Sequence, residues 1–137
     1  MYERLEEPEG VFDALESVVD HGELEEATRL RALVRQIDIA LELEAPDRAT
    51  RAATKLARID EAHPKVLEAT LAVARSEDDP RRMADVLERL STSGRVSEGE
   101  RVGYLFELAT IQGEKLGDVS AAIRALGDIR SNEATEE

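Results

Sequence analysis

The 137-residue chain has no cysteine and no tryptophan, and aromatic residues make up only 3% of it. Without cysteine there is no disulfide, no thiolate nucleophile and no thiolate metal ligand. With so few aromatics, the core must be built from Leu, Ala, Val and Ile. Small alanine suits closely packed helices better than it suits a β-sandwich, which needs larger anchors. Histidine occurs twice. His21 lies in "DHGE" and His63 precedes Pro64, and both read as turn or cap residues rather than as general bases. No apolar run approaches the roughly 20 residues that cross a bilayer. The opening "MYERLEEPEG" is acidic and lacks the apolar stretch of a secretory signal. The expected compartment is therefore the cytoplasm.

Aliphatic residues and charge dominate instead: 42% of the chain is hydrophobic and 36% charged, a composition for a soluble globular chain long enough to bury a core. The net charge is −13, and it is uneven, since residues 1–26 hold ten acidic residues against Arg4 alone. Such a field repels nucleic acid and anionic membranes, and it favours a basic or apolar partner. Its simplest role is solubility.

Proline and glycine punctuate the chain evenly. Pro46, Pro64 and Pro80 each stand where a helix can begin, because proline at the first helical position loses no needed N–H. Asp79 before Pro80 can cap that helix. Ser97 and Glu100 have the spacing of a capping box. Gly117 and Asp118 offer a stop followed by a new start. The expected helices cover about 8–20, 23–44, 47–61, 64–77, 80–92, 98–115 and 118–130. Val11, Leu15 and Val18 form one helical stripe, Leu30, Leu33, Val34, Ile37 and Leu41 a second, and Met83, Val86, Leu87 and Leu90 a third. No segment alternates as a strand does.

Short connections make neighbouring helices antiparallel. The expected fold is all-α: stacked antiparallel hairpins, about seven helices, in a single domain over 1–130. It comprises an N-terminal helix and three hairpins. Residues 131–137, "SNEATEE", are expected to form a disordered acidic tail. A single hairpin cannot bury its apolar faces alone, whereas a stack of hairpins can. Residues 25–59 and 97–129 share the order acidic start, long helix, short break, Ala-rich helix.

The last hairpin resembles a tetratricopeptide repeat. Leu105, Leu108, Ala109 and Gln112 fill that family's first-helix places, and Ala122 and Leu126 its second-helix pair of a small and a large residue four apart. Ala52, Leu56 and Pro64 match the second-helix pair and closing proline of an earlier unit. Leu67, Leu71, Ala74, Met83 and Leu87 fit the unit between. The signature Trp and Tyr are missing, Gln112 replaces an aromatic, and the last unit has no closing proline. The resemblance covers about 25–130 and implies an α-solenoid that binds proteins. Because the reading opens and closes on a helix of the second kind, it implies a piece of a longer array or a chain with its own cap.

The candidate binding residues follow from helical phase. Tyr104, Leu105 and Phe106 are consecutive, and a helix cannot turn all three inward. With Leu105, Leu108 and Ala109 inward, Phe106 either packs against the preceding hairpin or falls on the side where the resemblance implies that peptides bind, with Thr110 and Glu114 beside it. The same phase selects Glu68, Ala72 and Arg75 in the middle unit; in the 23–44 helix the phase is ambiguous, and Val34, Asp38 and Leu41 are the best match. The family's Lys/Arg/Asn clamp for peptide carboxylates has no match, since lysine stands only at 55, 65 and 115.

Nothing in the sequence supports catalysis. There is no G-x-S-x-G elbow, and "GRVSEGER" lacks the Lys-Ser/Thr end of a phosphate loop. "SEDDP" lacks the glycine and later glutamate of a calcium loop. No cofactor or metal is expected. The leading expectation is a protein-binding scaffold. The alternative is an oligomerisation or regulatory segment of a larger protein, with homo-oligomers forming through the end hairpins.

Overall fold

The computed structural model describes residues 7–21 and 23–136, the stretch 130–136 by its backbone alone. Among the described residues there are seven α-helices and no strand: α1 (Pro8–Val19), α2 (Glu26–Glu42), α3 (Pro46–Ile59), α4 (Pro64–Ser76), α5 (Pro80–Thr92), α6 (Glu98–Thr110) and α7 (Val119–Glu136). A π-helical turn, Ile111–Lys115, continues α6. The all-α expectation holds, with helix boundaries close to those read from the sequence.

The starts are encoded locally. All four prolines open helices. The Asp79 carboxylate accepts the Arg82 N–H at 3.2 Å. Ser97 and Glu100 complete the capping box, Glu100 N–H to Ser97 Oγ at 3.1 Å and Ser97 N–H to Glu100 Oε1 at 2.9 Å. Asp118 Oδ1 accepts the Ala121 N–H at 3.1 Å and caps α7. His63 Nδ1 accepts the Lys65 N–H at 3.1 Å, which is a cap role.

The stops of α2 and α4 are alike. Glu44 and Asp78 take positive φ, 53° and 52°. The following amides donate back to Ala40 O (2.9 Å) and Ala74 O (3.0 Å). Both turns are Schellman motifs, in which a left-handed residue lets two late carbonyls find donors. Gly117, φ 68°, supplies the same left-handed backbone before α7.

Two places differ from the sequence reading. The helix expected over 98–115 changes after Thr110 into the π turn. Gly113 lies within that turn, where a Cβ would stand 3.6 Å from the Ala122 Cβ. The last helix also runs on to Glu136 instead of stopping near 130. No proline interrupts it there, and its alanine and glutamates favour helix.

The chain divides into two compact units, one ending at Val73 and the other beginning at Ala74. In the first unit, α1 packs on α2 and α2 on α3. Its core gathers Phe12, Val19, Leu33, Ile37, Ala40, Ala49, Ala52 and Leu56, joined by Ala69 from α4. In the second unit, α6 packs on both α5 and α7. Met83, Val86, Leu87, Leu90, Leu105, Leu108, Ala121, Ala125 and Ile129 are buried there.

Burial recurs at a fixed interval. Ile37, Leu71 and Leu105 are buried at steps of 34 residues, as are Ala40, Ala74 and Leu108 in the same helices. Among the second helices Ala53, Leu87 and Ala121 repeat the step. Glu44 and Asp78, the two left-handed turn residues, also stand 34 apart.

Candidate partner-binding face

The face is built on α6. Leu105, Leu108 and Ala109 turn inward and are buried, while Phe106 is 54% exposed. Gly99, Gly103, Phe106 and Thr110 follow one another at helical spacings of four, three and four. All four are exposed, so they form one strip. A Cβ at Gly99 or Gly103 would meet nothing within 4 Å. The bare backbone therefore relieves no crowding inside the chain. The Thr110 hydroxyl donates to the Phe106 carbonyl at 3.0 Å. Glu114 is exposed on the π turn. The Arg75 guanidinium pairs with the Glu107 carboxylate, next in sequence to Phe106.

The first unit treats its candidates differently. Val34 and Leu41 are half-buried against the core, so they offer a partner only part of their surface. Asp38 and Glu68 are brought together by Lys65, whose ammonium pairs with both carboxylates. Burial works against that charge. Hydrogen bonds and Coulomb attraction from Asp38 and Glu68 outweigh it and hold the lysine pKa above its ordinary value. Ala72 is half-buried. In this unit the expected residues thus make a closed ion-pair trio rather than an open anchor.

One sequence expectation is corrected. The residues four apart that α7 buries are Ala121 and Ala125, and not the expected Ala122 and Leu126. Leu126 is 44% exposed, and Ala122 is half-buried beside Gly113. Alanines at 121, 122 and 125 with Leu126 offer two pairs spaced by four, and the larger residue is the misleading choice. Its rotation outward leaves a second apolar strip on α7, since Val119 (61%) and Ile123 (63%) are exposed at helical spacing with Leu126. The sequence signal for that strip was its i, i+4, i+7 pattern.

Among the described residues no three His, Cys, Asp or Glu side chains gather as a metal site, and no helix is long and apolar enough to cross a membrane. No family model, curated protein or solved structure matches the chain.

Proposed function

We propose that the chain is a cytoplasmic protein–protein interaction scaffold, a tetratricopeptide-like α-solenoid of stacked helical hairpins that receives a peptide or protein segment beside Phe106. The observation that carries this reading is the 34-residue recurrence of buried positions. Ile37, Leu71 and Leu105 are buried at matching places in α2, α4 and α6, a spacing that supports a helical-hairpin repeat. Within such an array an aromatic ring left 54% exposed, flanked by two glycines with open space above them, suits an anchor for a partner rather than a core residue. The partner segment is apolar or basic, in keeping with a chain of net charge −13 and the exposed Glu114.

The test is affinity capture with the full chain, Phe106→Ala and the control Val18→Ala, which trims an exposed side chain on α1. The reading expects proteins held by the parent and by Val18→Ala to be lost with Phe106→Ala. Equal capture by all three would overturn it.

A second reading rests on the α7 strip: Val119, Ile123 and Leu126 would seat another copy, making the chain an oligomerisation segment. Sedimentation over a concentration series separates the two. A mass that rises with concentration and reverts to monomer in Ile123→Glu supports self-association. A monomer throughout removes it.

A further inference from the structure

The α1–α3 seam has a regularity that solubility does not explain. Asp13 lies 3.9 Å from Arg48, Glu16 3.2 Å from Arg51 and Asp20 2.9 Å from Lys55. Glu16 also reaches Lys55 at 3.8 Å. Each of the first three pairs joins residues 35 apart, so α1 and α3 run parallel with their charges in register. Hydrogen bonding and Coulomb attraction from Glu16 raise the Arg51 pKa above its ordinary value. Above this ladder the Phe12 ring is fully buried. The Arg48 and Arg51 guanidinium carbons sit 5.4 and 5.7 Å from its centroid, within cation–π range. The hairpin also reads the helix backbone. Gln36 Nε2 donates to the Phe12 carbonyl at 3.2 Å, and Arg29 donates to the Val19 and His21 carbonyls at 3.1 and 2.8 Å, closing the C-terminal end.

These acidic residues do not serve α1 as a helix. Carboxylates near a helix C-terminus oppose its dipole, and Glu16 and Asp20 stand there. The N-cap, Glu7, makes no side-chain cap bond. At 12 residues α1 is at the lower limit for an isolated helix. Its helicity and its acidic pattern are matched to the surface that holds it.

We propose that the α2–α3 hairpin is a receptor for an acidic amphipathic helix, with α1 as its resident occupant in cis. The recognised pattern is an aromatic residue followed by carboxylates at the first, fourth and eighth positions after it, as in Phe12, Asp13, Glu16 and Asp20. A partner helix with this pattern displaces α1. The surface lies wholly in the first unit, and the inference does not depend on Phe106.

The test uses the full chain and a fluorescein-labelled peptide of residues 8–20. In Phe12→Ala/Glu16→Lys, α1 no longer fits and the receptor residues are intact. This variant binds the peptide at least about ten-fold more tightly than the parent, whose receptor is filled. Adding Arg51→Glu and Lys55→Glu abolishes binding, and a peptide carrying Glu16→Lys and Asp20→Lys restores it. Equal affinity of parent and released variant, or equal binding of a scrambled peptide, overturns the proposal. Should the released variant fail to fold, the cysteine-free parent takes spin labels at the exposed Ser17→Cys and Thr54→Cys. A second, longer label distance then appears as peptide approaches about millimolar, the range of effective concentration for a tethered helix. One unchanged distance throughout refutes displacement.

Discussion

The chain has two phenylalanines, and they should behave as opposites when truncated to alanine. Phe12 is fully buried in the first unit, where Leu33, Ile37 and Leu56 are also fully buried. Its removal leaves a cavity in addition to the lost transfer energy, so Phe12→Ala should cost about 3–5 kcal/mol. The same change strips the ring from Arg48 and Arg51. Phe106 is 54% exposed, so only about half of the roughly 1.5–3 kcal/mol for burying a large apolar side chain is at stake. Alanine also favours helix over phenylalanine by up to ~0.7 kcal/mol, which offsets part of the loss. Phe106→Ala should therefore cost less than about 1 kcal/mol. Urea denaturation followed by circular dichroism measures both. The slope with denaturant and a second probe check that each transition is two-state, which matters for a chain with two compact units. A loss for Phe106→Ala as large as that for Phe12→Ala would make Phe106 a core residue and refute the assignment of its face.

Other substitutions test the packing. Ala125→Arg should unfold the last hairpin because it forces a charge into a buried contact, whereas Ala122→Arg, half-buried beside Gly113, should melt closer to the parent; the thermal midpoints decide. Gly103→Ala should stabilise the second unit by about 0.4–1 kcal/mol, since the new methyl meets open space in a helix; a loss of stability would reveal a hidden contact. The Lys65 pKa is raised in the folded chain, so its contribution is complete below the ordinary value near 10.5 and is lost as pH rises through the higher folded value. Urea midpoints for the parent and Lys65→Met should therefore converge above that range; a gap unchanged by pH would contradict the pairing with Asp38 and Glu68.

Much of this fold is written in short-range chemistry. Proline positions, the Asp79 cap, the Ser97–Glu100 box and the Gly117–Asp118 stop are local devices, and local devices can be read from sequence. The outward turn of Phe106 was legible only in part, since phase alone leaves it either on the open face or against the preceding hairpin. Three consecutive large residues cannot share one face of a helix, and Leu105, Leu108 and Ala109 define the inner one. The rotation of α7 was not legible, because Ala121–Ala125 and Ala122–Leu126 are equally good helical pairs and tertiary packing decides between them. The π turn has no sequence mark beyond Gly113. Asp13, Glu16 and Asp20 looked like solubility charge, since their partners Arg48, Arg51 and Lys55 lie 35 residues away and nothing local announces the pairing. Phase is ambiguous in α2, and Val34 and Leu41 pack largely on the core.

The most direct measurement is photo-crosslinking in cells with benzoylphenylalanine placed at 106, and at 18 for comparison. A scaffold that takes its partner at the α6 strip should give a discrete heavier adduct from position 106, absent from position 18. Adducts at both positions alike, or none at 106 while the chain stays folded, would contradict the assignment of that face.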